Sequence, residues 1–138
     1  GSCEITPERY LQMHSFLAKE NPDLLFTHCP IDTHRDHRIC SVLVYDAWLY
    51  SGRKCVLYYG EAMTGTQSQN FMPTDYIDIS TVIDAKHQAC FAHVSQDIKA
   101  TYAEYHGQME VFRGMESGYG YAEAFVKQAK SPRSVFPL

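Results

Sequence analysis

The chain is poor in the features that most quickly sort a protein. It has five cysteines, Cys3, Cys29, Cys40, Cys55 and Cys90, and no two of them stand as Cys-x-x-Cys. An odd count cannot pair completely within one chain, so neither a disulfide framework nor a thiolate zinc knuckle is expected. Cys40, Cys55 and Cys90 each lie in apolar context and read as buried thiols of a reducing, cytoplasmic compartment. No apolar run approaches the roughly 20 residues of a membrane helix. The net charge of −4 gives no basic surface for nucleic acid or anionic lipid, so neither is expected as a partner. Repeats, low-complexity tracts and charge blocks are also missing, which leaves one domain over 1–138 without a linker. The opening Gly1-Ser2-Cys3-Glu4 has no initiating Met or basic leader, as expected of a processed chain or a fragment.

What is present is enough for a modest core: 138 residues, 45% of them hydrophobic and 20% charged. The most informative stretch is Asp23-Leu-Leu-Phe-Thr-His-Cys-Pro-Ile-Asp-Thr-His-Arg-Asp-His37. A short apolar run ends in a loop containing Pro30, and Asp32, His34, Asp36 and His37 crowd into six positions. Ile39, Val42, Leu43 and Ala47 then recur at helical spacing. A buried strand that turns and feeds a helix is how an α/β sheet presents reactive groups at its carboxyl edge. Two imidazoles and two carboxylates so close together point to a metal or catalytic site rather than to a solvated polar loop.

The rest of the chain can be read around that unit. Thr6, Pro7 and Glu8 form a helix start, followed by an apolar stripe of Tyr10, Met13, Phe16 and Leu17 and a stop at Asn21-Pro22. A strand is expected over 23–27 and a helix over 36–50 ending at Ser51-Gly52. A second strand over 54–59 is apolar almost throughout and so interior and parallel to the first, which makes a right-handed βαβ unit. The polar segment 60–74 leaves the same sheet edge as the histidine loop and reads as a substrate lip. A short strand is expected over 76–80, then a helix capped by Ser80 and running to about His93, with Val82, Ile83 and Ala89 inward. A further helix spans 96–112, Gly114 to Tyr121 is irregular, and a last helix covers 122–130.

Three stretches together resemble the PIG-L/LmbE-like metal-dependent de-N-acetylases. Asp32-Thr-His-Arg-Asp-His37 has that family's D-x-H-x-D-H form before a helix. Tyr76-Ile-Asp-Ile-Ser80, with Lys86 and then His93-Val-Ser-Gln96, is similar to a second segment. Tyr121-Ala-Glu-Ala-Phe125 is similar to a closing one. The family's first motif, His-Pro-Asp-Asp-Glu, does not occur here. The resemblance therefore implies an α/β, Rossmann-like three-layer fold present in part, without the N-terminal strands that carry that motif, and an exposed sheet edge in their place.

By the same resemblance His37 is the third ligand of Zn2+, or of another divalent metal, whose other ligands lie outside this chain. His34 faces the substrate as an imidazolium, Asp36 holds the His34 tautomer, and Asp32 ties down the loop. His93 lies near the site, with Ser95 and Gln96 bonding backbone there. The substrate class implied is an N-acetylated amino sugar or its conjugate, with turnover not expected from these residues alone. Pairing with the missing half, or a homo-oligomer, is the partner expectation.

Chemistry alone leaves several of these residues open. His93 reads equally as a helix-end histidine on the dipole. Glu61 is either substrate-facing or solvated. Gln67, with Gln69 and Asn70, suits sugar hydroxyls but also an ordinary polar loop. Cys29 lacks an activating partner for nucleophilic work. His14, His28, His87 and His106 are read as non-ligands, and Arg113 and Glu123 as a structural pair. Two other readings compete: a non-catalytic binding chain on the same scaffold, and a metallo-β-lactamase-like hydrolase, in which a His stands where Asp32 is.

Overall fold

The computed structural model describes residues 1–63, 66–96 and 98–133. The chain forms two compact units, one of residues 1–73 with the segment from Phe125 onward, the other of residues 74–124.

The first unit is built on a strand–helix–strand core. Helix α1 (Pro7–Glu20) opens where the Thr6 hydroxyl accepts from the Arg9 amide and Pro7 supplies a fixed φ at the first position. It closes at Asn21, which adopts the left-handed conformation (φ 42°) and donates its N–H to the Leu17 carbonyl. Strand β1 (Leu24–His28) leads through the histidine loop into α2 (Arg35–Tyr50), which ends before Gly52 at φ 80°. Strand β2 (Val56–Gly60) then pairs with β1 in parallel, from Leu24 opposite Val56 to His28 opposite Gly60. The parallel βαβ unit thus forms as the apolar patterning dictates.

Its core is Leu17, Val44, Ala47, Trp48, Cys55 and Leu57, with Met13, Leu25 and Tyr59 packed against them. Trp48 is wholly buried, and its indole N–H donates to the Cys55 carbonyl at 2.8 Å, so the largest apolar group also satisfies its polar atom. Two expected core residues face outward instead: Phe16 is 58% exposed and Val42 37%. The stripe that α1 and α2 bury is narrower than the apolar pattern, because α1 packs chiefly on α2, and α2 on α1 and β1.

The end of the chain departs from expectation. Ala122–Lys127 is a strand, β4, and not a helix. It runs antiparallel to β2, with Tyr58 opposite Lys127 and Gly60 opposite Phe125. Strand order is β1-β2-β4-β3, which leaves β1 at a margin among the described residues.

The second unit contains β3 (Asp75–Asp78), α3 (Ile83–Phe91), a short turn of 3-10 helix (Val94–Gln96), α4 (Ile98–Tyr102), α5 (His106–Ser117) and the first residues of β4. The long helix expected over 96–112 is broken: α4 and α5 are separate, and Asp97 lies outside the described residues. Ser80 does not cap α3. Val82 occupies that position without a side-chain bond, and the Ser80 hydroxyl accepts instead from the Tyr121 amide at 3.0 Å. Val82 and Ala89 are exposed, while Ile83, Lys86, His87 and Cys90 are the half-buried face of α3.

That face meets a buried carboxylate. Glu110 on α5 accepts from Tyr102 (2.5 Å), from Lys86 (2.8 Å) and from the His87 ring (2.9 Å). Burial alone would raise its pKa, but His87, Lys86 and Tyr102 outweigh burial and hold it below the ordinary range. Lys86 also pairs with Glu123 of β4 at 2.6 Å, and Arg113 with Glu116, so the pairing expected between Arg113 and Glu123 is distributed differently. Gly114 lets α5 lie against the turn that follows it: a Cβ there would stand 2.7 Å from the Gly120 carbonyl.

Candidate active site

The site is built where β1 ends. Asp32 is its hub, a carboxylate with no exposed side-chain surface. One oxygen accepts from the His34 amide at 2.7 Å, which ties down the loop. The other lies 3.1 Å from His37 Nδ1 and 3.3 Å from the Ser68 hydroxyl. Burial raises the Asp32 pKa, but the His34 amide, the His37 ring and Ser68 together bring it below its ordinary value.

Backbone pairing joins this loop to the one after β2. Asp32 and Ser68 form a β-bridge, the Thr33 amide donates to the Gln67 carbonyl (3.0 Å), and the Gln69 amide donates to the Ile31 carbonyl (2.9 Å). Arg38 fastens the same turn from α2, donating to the carbonyls of Asp32 (2.6 Å) and Thr33 (3.1 Å). The 60–74 segment is therefore held against the histidine loop on its described residues, with Thr64 and Gly65 outside them.

Three imidazoles stack at this edge. The His28 and His37 rings are parallel to within 4° at 3.9 Å between centroids, and His34 lies 4.6 Å from His37 at 29°. His37 Nδ1 has two neighbours, Asp32 and the Gln67 amide, both at 3.1 Å. A ring nitrogen carries at most one proton, and the buried carboxylate is the stronger acceptor. Nδ1 is therefore the position through which His37 donates to Asp32, the way a carboxylate orients a metal-ligating histidine.

His34 caps α2, its Nδ1 accepting from the Asp36 amide at 3.2 Å. That contact engages Nδ1 at the helix start and leaves Nε2 as the ring nitrogen on the exposed side. The Asp36 carboxylate accepts from the Cys3 amide at 3.3 Å, and the contact to the His34 ring is made by the Asp36 backbone, a helix-start geometry that a side-chain reading misses.

Glu61, half-buried, lines an open cavity of about 350 Å³ together with Thr27, His28 and Gly60. The Thr27 hydroxyl is buried and makes no hydrogen bond. Gln67, expected to meet substrate, lies against His37. His93 follows α3 and Ser95 lies in the 3-10 turn; both are exposed residues of the second unit, and the Gln96 side chain lies outside the described residues. Burial pushes the Cys29 thiol pKa upward, which keeps it protonated and unsuited to attack. All five cysteines are free. No helix among the described residues is long and apolar enough to cross a membrane.

Sequence reasoning missed two residues here. Ser68 carried no signal, because its partner is 36 positions away. His28, read as a non-ligand beside the loop, stacks on His37 through its ring face, a contact with no local signature.

No protein-family model matches the sequence, and no curated protein does. Solved structures do match. The conserved protein TT1542 of Thermus thermophilus aligns with a TM-score of 0.77 at 25% identity over 99% of this chain and 64% of its own. The 4-carboxy-2-hydroxymuconate hydratase GalB of Pseudomonas putida aligns at 0.74, with 19% identity over 98% and 63%. The N,N'-diacetylchitobiose deacetylase of Pyrococcus horikoshii aligns at 0.72, with 20% identity over 94% and 56%. The chain thus spans about three-fifths of the length of these proteins. The chain shares the mixed α/β fold of these structures. A hydratase shares it, so the reaction has to be argued from the site and not from the fold.

Proposed function

We propose that this chain forms part of a divalent-metal-dependent de-N-acetylase, an amide hydrolase acting on an N-acetylated amino sugar or its conjugate. The observation that carries the reading is the His37 ring, oriented through Nδ1 by a buried aspartate and stacked between strand end and helix start. A histidine held this way offers one well-aimed nitrogen. His34, capping the same helix through Nδ1, turns its Nε2 outward at the sheet edge, where a ring N–H would suit an amide carbonyl oxygen. Glu61 lines the neighbouring cavity and suits sugar hydroxyls.

The described residues do not make a metal cage by themselves: no group of three or more His, Cys, Asp or Glu side chains among them is placed to hold an ion. Stacked parallel rings explain why His28 and His37 cannot share one. A metal lies in the plane of each imidazole that binds it, about 2.0–2.1 Å from the nitrogen. The proposal therefore takes His37 as one ligand and places the others in polypeptide beyond these residues. The test is metal content and acetate release in the protein that carries the complete centre. His37→Ala should lose the metal, and His34→Ala should keep the metal but lose at least about tenfold in kcat. Equal metal loss in both variants would overturn this division of labour.

A further inference from the structure

We infer that His28 is a positioning residue for His37: its ring is a flat plate, fixed at the end of β1, that sets the plane of the His37 imidazole. The inference rests on the reading of His37 as a ligand for its purpose, but not for its test.

Three observations carry it. First, the two rings are parallel within 4° at 3.9 Å, an arrangement that brings the His28 face, and not its nitrogens, onto His37. Imidazole lone pairs lie in the ring plane, so a ring stacked face to face can brace its neighbour without competing for whatever that neighbour binds. Second, the plate is rigidly mounted. His28 is the last residue of β1, in register with Gly60, and the next amide, Cys29, donates to the Gly60 carbonyl at 3.0 Å. A supporting residue on a strand holds a ligand more narrowly than one on a loop. Third, the hydrogen bond from His37 Nδ1 to Asp32 fixes one point of the ring and leaves rotation about that point. A planar neighbour removes that remaining freedom.

The alternative roles fare worse. As a ligand beside His37, His28 has the wrong orientation. As a residue that merely fills space, it could be replaced by any side chain of similar volume, and that difference is what the experiment measures.

The order of the His37 ring is read in the isotope-labelled chain from 13C relaxation of its ring carbons. In the wild-type chain the ring should be held as tightly as the neighbouring backbone. His28→Phe keeps a flat ring and should preserve that order. His28→Leu, similar in bulk but without a plane, should lower it measurably, because the ring then turns about its Nδ1 contact with Asp32, and His28→Ala should do the same. In the completed metal centre the Leu variant should bind zinc about tenfold more weakly than the Phe variant. A Leu variant that matches wild type overturns the inference, as does a Phe variant that behaves like Leu. Loss of the fold at this position would take the Phe and Leu variants together and so also counts against it. Absence of amide hydrolase activity in the protein that carries the complete centre would refute the proposed function and leave the ring-order result to decide the role of His28.

Discussion

The aspartate at position 32 does more than its neighbours because one buried carboxylate serves three donors. Removing it leaves the His34 amide, the His37 ring and the Ser68 hydroxyl without their acceptor. Unsatisfied buried groups cost about 1–3 kcal/mol each, with partial relief from water at this half-exposed edge. Asp32→Ala should therefore lower stability by about 3 kcal/mol, measured by urea denaturation, well beyond an exposed Asp→Ala change. Its depressed pKa also sets a pH dependence. The folded value lies below the ordinary 3.8, so the contribution is complete above 3.8 and disappears as pH falls from there through the folded value. Wild type should lose stability over that acid range, and Asp32→Asn should show a shallower loss. An unchanged acid limb in the Asn variant would show that the carboxylate does not have the folded-state partners described. At this scale the sequence was partly legible. Asp32, His34 and His37 stand within six positions, and a local cluster advertises itself. Ser68 and His28 act through space, one across a loop-to-loop bridge and the other through a ring face, and neither relation has a local signature.

Among the elements, those whose ends are coded locally could be read in advance. Thr6-Pro7 starts α1, Asn21 stops it, and the helical spacing after His34 gives α2. The segment Ala122-Glu-Ala-Phe-Val-Lys127 could not be read this way. Alanine, glutamate and lysine favour helix, but β2 offers an antiparallel ladder, and tertiary pairing overrides a preference worth only tenths of a kcal/mol per residue. The segment 96–112 failed for the opposite reason. Its helical composition is genuine, but Tyr102 turns inward to the Glu110 carboxylate and the chain breaks between them. Glycine decides the next junction. Gly118 closes α5 at φ 81°, and Gly114 accommodates the returning backbone. Gly114→Ala should destabilise the protein by about 1–3 kcal/mol, since the new methyl group meets backbone that cannot rotate away. Thermal unfolding would measure it, and a neutral Ala variant would mean that the turn relaxes freely.

For the molecule as a whole, the prediction concerns what 138 residues can hold. No group of three or more His, Cys, Asp or Glu side chains among the described residues is placed to hold an ion, so this polypeptide alone should retain no stoichiometric zinc through dialysis and release no acetate from an N-acetylglucosamine substrate. Metal retained at one equivalent, or turnover abolished by EDTA, would refute that.

The second unit contains its own gauge. Lys86 is held by two carboxylates, one on α5 and one on β4, and the ion pairs raise its pKa against the lowering effect of burial. Lys19, by contrast, is 83% exposed at its side chain. Acylating reagents attack only the uncharged amine, so in the native protein Lys19 should be labelled first and Lys86 last. Mass spectrometry of the labelled peptides would then make the delay at Lys86 a clock for how often this half of the chain comes apart.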